Sequence, residues 1–456
     1  MGKKFFARGF SLSIAAILIA CCRGPARPGQ EKITILFTND LSGHVVPDRS
    51  GRGGLAGIAA KAGEIKSENP NTILLDAGDA PVGTAFTTLT RGQAMFQVMN
   101  AAGYEASVYG NHEFDLGQDQ ARQYQAIAEF PILACNIRDK DGGPFAQEYL
   151  ILKTGSLRLG IIGIANPKTT NLVDKTAVAD LKFLPAEREI RRLQKELADQ
   201  ADLLIVLSHQ GIKEDMALAY HLSGVPLIIG GHSQIKIKGL RTVNNVAIAQ
   251  AGENGYYLGR VDFLWDPAAK TAAGFRGRLI DIDHRVIPEP GVQKIITEEA
   301  RALPSDLKRV IGKTRFTINK VFLGFWMAEV LKAEAQADFG IMNSGGVRSE
   351  IFRGEITPED LFQVMPFNDK IAAFEISGKN LARIKTMRWF FFSRGPRIET
   401  GKTYRVASLD YLIRINDFPG ARNEQFSDHL LRDKIIERIE KDGGISRFWS
   451  RQGASR

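Results

Sequence analysis

Two spacings of apolar residues alternate along residues 32–285. The first is a short run in which nearly every position is apolar: ITIL before Asp40, TILL before Asp79, LLIVLS before His209 and PLIIGG before His232. Such runs have no polar face, so each predicts a strand buried on both sides, as in a parallel sheet covered by helices. LRLGIIGIA (157–165) and VAIAQAGENGYYLGRVDFLWD (246–266) read as further strands. The second spacing is helical. AGIAAKAGEIKSEN (56–69) is amphipathic, and residues 185–200 begin at Pro185 and carry charges at i,i+4 spacing. Strands and helices in this alternation predict a layered α/β sandwich.

The pattern breaks at residues 286–309, where VIPEPGVQKIITEEARALPSDLK is charged and punctuated by proline, a linker containing a helix. A second, smaller α+β unit is expected over residues 310–442. Its Trp389-Phe390-Phe391-Phe392 run reads as a core strand or an interface. SDHLLRDKIIERIEKDGG (427–444) predicts an amphipathic helix capped by Ser427 or Asp428 and ended by Gly443, and residues 443–456 form a basic tail.

Composition changes the picture at the N-terminus. Lys3, Lys4 and Arg8 precede the apolar SLSIAAILIA, a signal peptide over residues 1–20 that is too short to be a stable span. Leu18-Ile19-Ala20-Cys21 resembles the bacterial lipobox, which implies lipid attachment at Cys21. Residues 21–31 are rich in Pro and Gly, as a tether would be. The expectation is an exported protein on the periplasmic or cell-surface side of a bacterial membrane, anchored by lipid. Only Cys22 and Cys135 remain besides Cys21, so no disulfide framework is expected, and Cys135 in PILACNI reads as a small buried residue. The net charge of +9 is dispersed and favours anionic substrates. No nucleic-acid-binding motif accompanies it, and a nucleic-acid polymer is not an expected partner.

Candidate chemistry lies in the loops after the apolar runs: FTND (Asp40), DAGD (Asp79), YGNHEFD (Asn111, His112, Asp115), LSHQG (His209) and GGHSQ (His232, Gln234). Four of the seven histidines, His44, His112, His209 and His232, fall in these loops. The carboxyl ends of strands are where open α/β sheets gather functional groups. Mixed Asp, Asn and His donors suit a pair of divalent ions such as zinc, manganese or cobalt, with one carboxylate able to bridge both. No Ser-His or Cys-His arrangement suggests a covalent protein nucleophile. The expected reaction is metal-assisted hydrolysis.

The set ND…GD…GNHEFD…SHQG…GGHSQ, with spacing maintained over residues 33–420, resembles the calcineurin-like metallophosphoesterases of the 5′-nucleotidase/UDP-sugar hydrolase family. The resemblance implies a four-layer αββα sandwich. It implies one metal on Asp40, Asp79 and Gln234, and a second on Asp79, Asn111, His209 and His232. It also makes His112 and Asp115 a catalytic pair, stabilising charge on phosphoryl or leaving-group oxygens while water attacks phosphorus in line. In the second unit it implies that Asn343, Gly345 and Gly346 approach a nucleoside and that Arg348 faces the phosphate side. Phe367 and Tyr411 would clamp the base, and Asp417 would stand near the ribose. The implied substrate is a nucleoside 5′-phosphate, with UDP-sugars or cyclic nucleotides as further substrates.

Two departures qualify this. The family's first motif is usually Asp-x-His, whereas this chain reads Asp40-Leu41-Ser42, which costs the first metal an imidazole unless His44 or water substitutes. The family's glycine-rich segment after the second aromatic reads Arg414-Ile415-Asn416-Asp417-Phe418, so the loop must take another path. The alternative is a catalytically weakened nucleotide-binding or surface-interaction lipoprotein, and a closer one is a hydrolase of non-nucleotide phosphoesters. The oligomeric state is left open.

Overall fold

A computed structural model describes residues 29–445. The signal peptide, Cys21 and most of the tether and tail lie outside them. Among the described residues, no helix is long and apolar enough to cross a membrane.

The apolar runs form strands in two sheets. Glu31–Thr38 pairs in parallel with Thr72–Asp76 and antiparallel with Tyr257–Asp266, which in turn pairs with Thr271–Asp281. The other sheet runs Arg241–Val243, Val246–Ala249, Leu227–Gly230, Leu203–Ser208, Leu157–Ile164, Tyr149–Thr154; its four central strands are parallel and its two edges antiparallel. Alternate side chains explain why these runs lack a polar face. Ile33, Ile35 and Phe37 point into a core shared with Leu159, Ile161, Ile205, Leu207 and Ile229 of the facing sheet. Leu36 and Leu74 point the other way, under Leu55–Glu68, Gln93–Ala102 and Pro290–Ala300. On the far side, Ile162, Val206, Ile228 and Ile248 pack against Ala186–Glu196 and Ile212–His221. Helix, sheet, sheet, helix: the sandwich has four layers.

Helix Pro290–Ala300 starts with a proline at its first turn and the Glu289 carboxylate accepting the Val292 N–H. Its Val292 and Ile296 join the first core. A second core lies under the five-stranded mixed sheet Phe390–Phe392, Phe339–Asn343, Thr403–Leu409, Lys370–Ser377, Arg422–Leu430. The aromatic run is thus a strand, with Phe390 buried and Trp389 exposed. The expected cap is corrected. Ser427 and Asp428 belong to strand Arg422–Leu430, and the helix begins only at Leu431, with no side-chain cap. That strand is an edge, mostly exposed and polar, so it carries no apolar alternation that could have announced it. Gly443 does end the helix, in the left-handed region at φ 71°.

Several contacts join the two units. The Arg49 guanidinium reaches the Glu355 carbonyl at 3.0 Å and pairs with Asp360. The Tyr411 hydroxyl donates to the Leu172 carbonyl at 2.8 Å, and Arg414 pairs with Asp174 at 3.0 Å.

Candidate metal centre and substrate cavity

The functional loops all leave the carboxyl ends of strands and are stitched to one another by backbone. Asp40 N–H donates to Gly78 O at 2.9 Å, Ser42 N–H to Asp79 O at 3.0 Å, and Gly231 N–H to Ser208 O at 2.9 Å. Asp40, Asp79, His232 and Gln234 have φ of 51°, 56°, 69° and 55°. Non-glycine residues adopt this left-handed geometry rarely, and at functional sites the strain turns side chains inward. Glycines before the ligands allow the approach. A Cβ on Gly110 would lie 2.2 Å from Asp79 Oδ1, and one on Gly231 would lie 2.6 Å from Ala77 O and 2.8 Å from His209 Nδ1.

Asp79, His209 and His232 offer donor atoms within 4.8 Å of one another. His209 gives its Nδ1–H to the Ala77 carbonyl, so its Nε2 faces Asp79 Oδ2 at 2.9 Å without hydrogen-bond geometry. Asp40 Oδ1 and Asn111 Oδ1 are likewise buried without partners, while Asp40 Oδ2 accepts the His232 N–H at 2.9 Å. Buried polar atoms without partners are expensive. Lone pairs of one carboxylate oxygen, one amide oxygen and one imidazole, orphaned around a shared carboxylate, fit divalent cations. The electrostatics agree. Burial raises the Asp40 carboxyl to about 7, with the neighbouring Asp79 charge adding to the effect. Burial, then the His209 charge, lowers His232 to about 4, leaving a neutral imidazole ready to ligate. Gln234 follows on the same loop. Ser42 is buried, and His44 gives its Nδ1 to the Leu41 and Ser42 carbonyls.

His112 lies beside this group. Its backbone N–H donates to Asp79 Oδ1 at 2.8 Å, and its Nδ1 meets Asp115 Oδ2 at 2.8 Å. Burial disfavours a charged ring here, but Asp115 and then Asp79 outweigh it and hold His112 near about 9.

A cavity of about 440 Å³ opens onto Asn111, His112, Asp115 and His232 on one side and onto Asn343, Gly345, Gly346, Arg348, Phe367 and Tyr411 on the other. The Phe367 ring stacks on His112, centroids 5.7 Å apart. Residues nearly three hundred positions apart therefore share one chamber, with Asp40, Asp79 and His209 buried beneath it.

Asp417 is not among the residues that border it. The chain makes a helical turn at Asp410–Arg414, and Phe418 is drawn into the core between Phe374 and Phe390. Sequence reasoning missed Asp369, Asp410, Arg414 and Arg91, all on the cavity wall. It also missed Glu113, whose buried carboxylate accepts the N–H groups of Asp79, Ala80 and Gly110 and so braces two ligand loops. Its position inside GNHEFD was the available signal.

Comparison with known proteins agrees with this geometry. Residues 33–236 match the calcineurin-like phosphoesterase model, and residues 309–386 match the 5′-nucleotidase C-terminal domain. The chain belongs to the 5′-nucleotidase family of metallophosphoesterases. It is a metal-dependent phosphoric ester hydrolase. A 5′-nucleotidase of Vibrio parahaemolyticus is 27% identical over 435 residues, covering 81% of this chain and 78% of that protein. The trifunctional nucleotide phosphoesterase protein YfkN of Bacillus subtilis is also 27% identical over 87% of this chain, and the match spans only 30% of its length. The crystal structure of a 5′-nucleotidase precursor from Thermus thermophilus shares the fold, with TM-score 0.82 and 21% identity over 91% of this chain and 97% of that one.

Proposed function

We propose that this chain is an exported phosphohydrolase that uses two divalent cations to release phosphate from nucleoside 5′-monophosphates. One observation carries the reading: the orphaned amide oxygen of Asn111, the His112–Asp115 pair and the second unit's Arg348, Phe367 and Tyr411 border a single chamber of nucleotide size. Asp40, Asp79 and Gln234 would hold one cation, and Asp79, Asn111, His209 and His232 the other. When bound, such ions polarise the phosphoryl oxygens and lower the pKa of water.

The chain's own residues supply the rest. His112, charged at neutral pH and oriented by Asp115, directs a ring N–H at the phosphoryl or leaving oxygen and can deliver a proton to the departing 5′-hydroxyl. Arg348 offers a guanidinium to the phosphate from the opposite wall. Phe367 and Tyr411 provide aromatic surface for a base, and Asn343 brings a buried, unpartnered Oδ1 toward it.

The test is phosphate release by purified protein from a nucleotide panel and from p-nitrophenyl phosphates, with Mn²⁺, Zn²⁺ or Co²⁺. Turnover of nucleoside 5′-monophosphates supports the reading, and turnover of p-nitrophenyl phosphate alone moves the substrate to other phosphoesters. Ser42 favours a second reading, a weakened nucleotide-binding lipoprotein. Nucleotide binding with no turnover under any metal, and at most one ion bound, selects it. Anchoring through Cys21 is tested by fatty-acid labelling in cells, which Cys21→Ser abolishes.

A further inference from the structure

An aromatic surface lies apart from the cavity, where helix Lys320–Glu334 packs against the edge strand Phe390–Phe392. The helix buries Leu323, Met327 and Leu331 in the second core. Its outer row begins with Val321 and Phe325, one turn apart and 55% and 48% exposed. Phe391 lies over the helix beside them. A Cβ on Gly324 would collide with its ring, so a glycine is what admits it there. The Phe391 and Phe325 rings meet edge-on, centroids 5.2 Å apart. The Ser344 N–H donates to the Trp389 carbonyl at 2.8 Å and extends the strand ladder by one pair. Trp389 therefore stands two places from Phe391, on the same face of the sheet, and is 53% exposed.

The charges around this face all have one sign. Residues 379–398 hold six basic side chains, Lys379, Arg383, Lys385, Arg388, Arg394 and Arg397, and no acidic one. All six are exposed, and Lys320 adds a seventh cation one residue before Val321. Lys320, Lys385 and Arg388 have no acidic partner among the described residues. The first carboxylate along the helix, Glu329, is occupied by the Arg394 backbone N–H at 2.7 Å.

Half-exposed rings ringed by cations match the boundary where acyl chains meet anionic headgroups, with rings entering the interface and cations pairing with phosphates. A second copy of the chain would set these same cations against one another, and that repulsion disfavours a symmetric pairing. We propose that this face of the second unit docks on an anionic lipid bilayer, with Phe325 and Trp389 inserted and the surrounding basic side chains on the headgroups. The proposal needs neither the nucleotide reading nor a lipid on Cys21.

The test uses the chain from Cys22 onward, which carries no lipid, and vesicles of phosphatidylcholine with or without phosphatidylglycerol. Co-sedimentation should show binding to the anionic vesicles that is at least about tenfold weaker to neutral ones and falls with added salt. Lys385→Glu with Arg388→Glu should weaken it about tenfold or more, since each cation near an anionic surface is worth roughly fivefold. Phe325→Ser with Trp389→Ser should weaken it comparably, with circular dichroism unchanged. Brominated lipid should quench the tryptophan fluorescence of wild type more than that of Trp389→Phe. Absence of binding, or equal binding to neutral and anionic vesicles, overturns the proposal. Binding that survives both pairs of substitutions does so too, because the basic tail or another surface would then carry it. Self-association abolished by these substitutions, without vesicle binding, also overturns it and assigns the face to a second copy.

Discussion

His209 hands its Nδ1–H to the carbonyl of Ala77 across 2.5 Å, and this one bond sets the tautomer that turns its other nitrogen toward Asp79. A carboxylate oxygen and an imidazole nitrogen 2.9 Å apart are held by a positive charge between them. That charge is a proton on the ring, which burial disfavours but Asp79 favours enough to raise its pKa to about 10, or a cation that takes its place. Asp79 also touches the His112 backbone, so it links the cation cluster to the catalytic pair. Replacing it by Asn removes the shared negative charge from both. Asp79→Asn should lower bound metal, measured by plasma mass spectrometry, and reduce phosphate release beyond the ~10–100-fold that outer metal partners cost. Full metal content in this variant would contradict the cluster.

His112 separates from metal binding in the opposite sense. His112→Ala should retain the wild-type metal content and lose about 10²–10⁴ in kcat. Asp115→Asn should lose less and move the alkaline limb of kcat down, because the Asp115 carboxylate is the main reason His112 stays charged. An unchanged alkaline limb would show that another group titrates.

Ser42 occupies the position where an imidazole is missing from the first motif. Its φ of 47° and the bond from its N–H to Asp79 O fix the backbone beside the cluster. Ser42→His should raise the affinity for the more weakly held ion or the rate at limiting metal, read from metal titrations of activity. Unchanged metal content and activity would mean that His44 or water already fills the gap.

Arg432 makes four hydrogen bonds to residues 365–368 and packs its guanidinium 3.8 Å from the Phe362 ring centroid. Arg432→Met leaves three carbonyls under-satisfied and should cost roughly 3 kcal/mol of stability. It should also raise KM for nucleotides more than it lowers kcat, because Phe367 loses its support. Denaturant unfolding and steady-state kinetics together check this, and a variant with unaltered KM would make the residue purely structural.

Asp215, bonded to the two residues that flank His209, gives a pH signature of its own. Burial raises it to about 7, although Ser208 and Gln210 donate to Oδ1, and its Oδ2 has no partner. A folded-state pKa above the unfolded value means that the native protein holds a proton which the unfolded chain has released. Stability contributed this way is present below about 4 and is lost as pH rises to about 7. Asp215→Asn has no proton to lose. The gap between variant and wild type should therefore widen by roughly 1–4 kcal/mol over that window, measured from denaturant midpoints. Parallel curves would refute the shift.

Much of this molecule is legible along the chain. All-apolar runs announce strands covered on both faces, and here Ile35 and Leu36 enter opposite cores. Glycine next to Asp, Asn or His at the end of such a run announces a loop where backbone and ligand come close, as Gly110 and Gly231 do. Those signals are local, because each depends on a few consecutive residues and the geometry of one strand end. The edge strand Arg422–Leu430 was silent for the complementary reason: its residues are polar and exposed, and only pairing with Lys370–Ser377 makes them a strand.

By itself the sequence determined the layered fold and the strand-end loops that bear the candidate ligands. Which residues face one another across the chamber was decided by tertiary structure alone. Phe418 enters the core against Phe374, docking of the two units stacks Phe367 on His112, and the buried Arg432 holds the segment that carries Phe367. Each of these is a contact between segments distant in the chain, settled by packing and charge satisfaction over the whole molecule, and no local spacing encodes it.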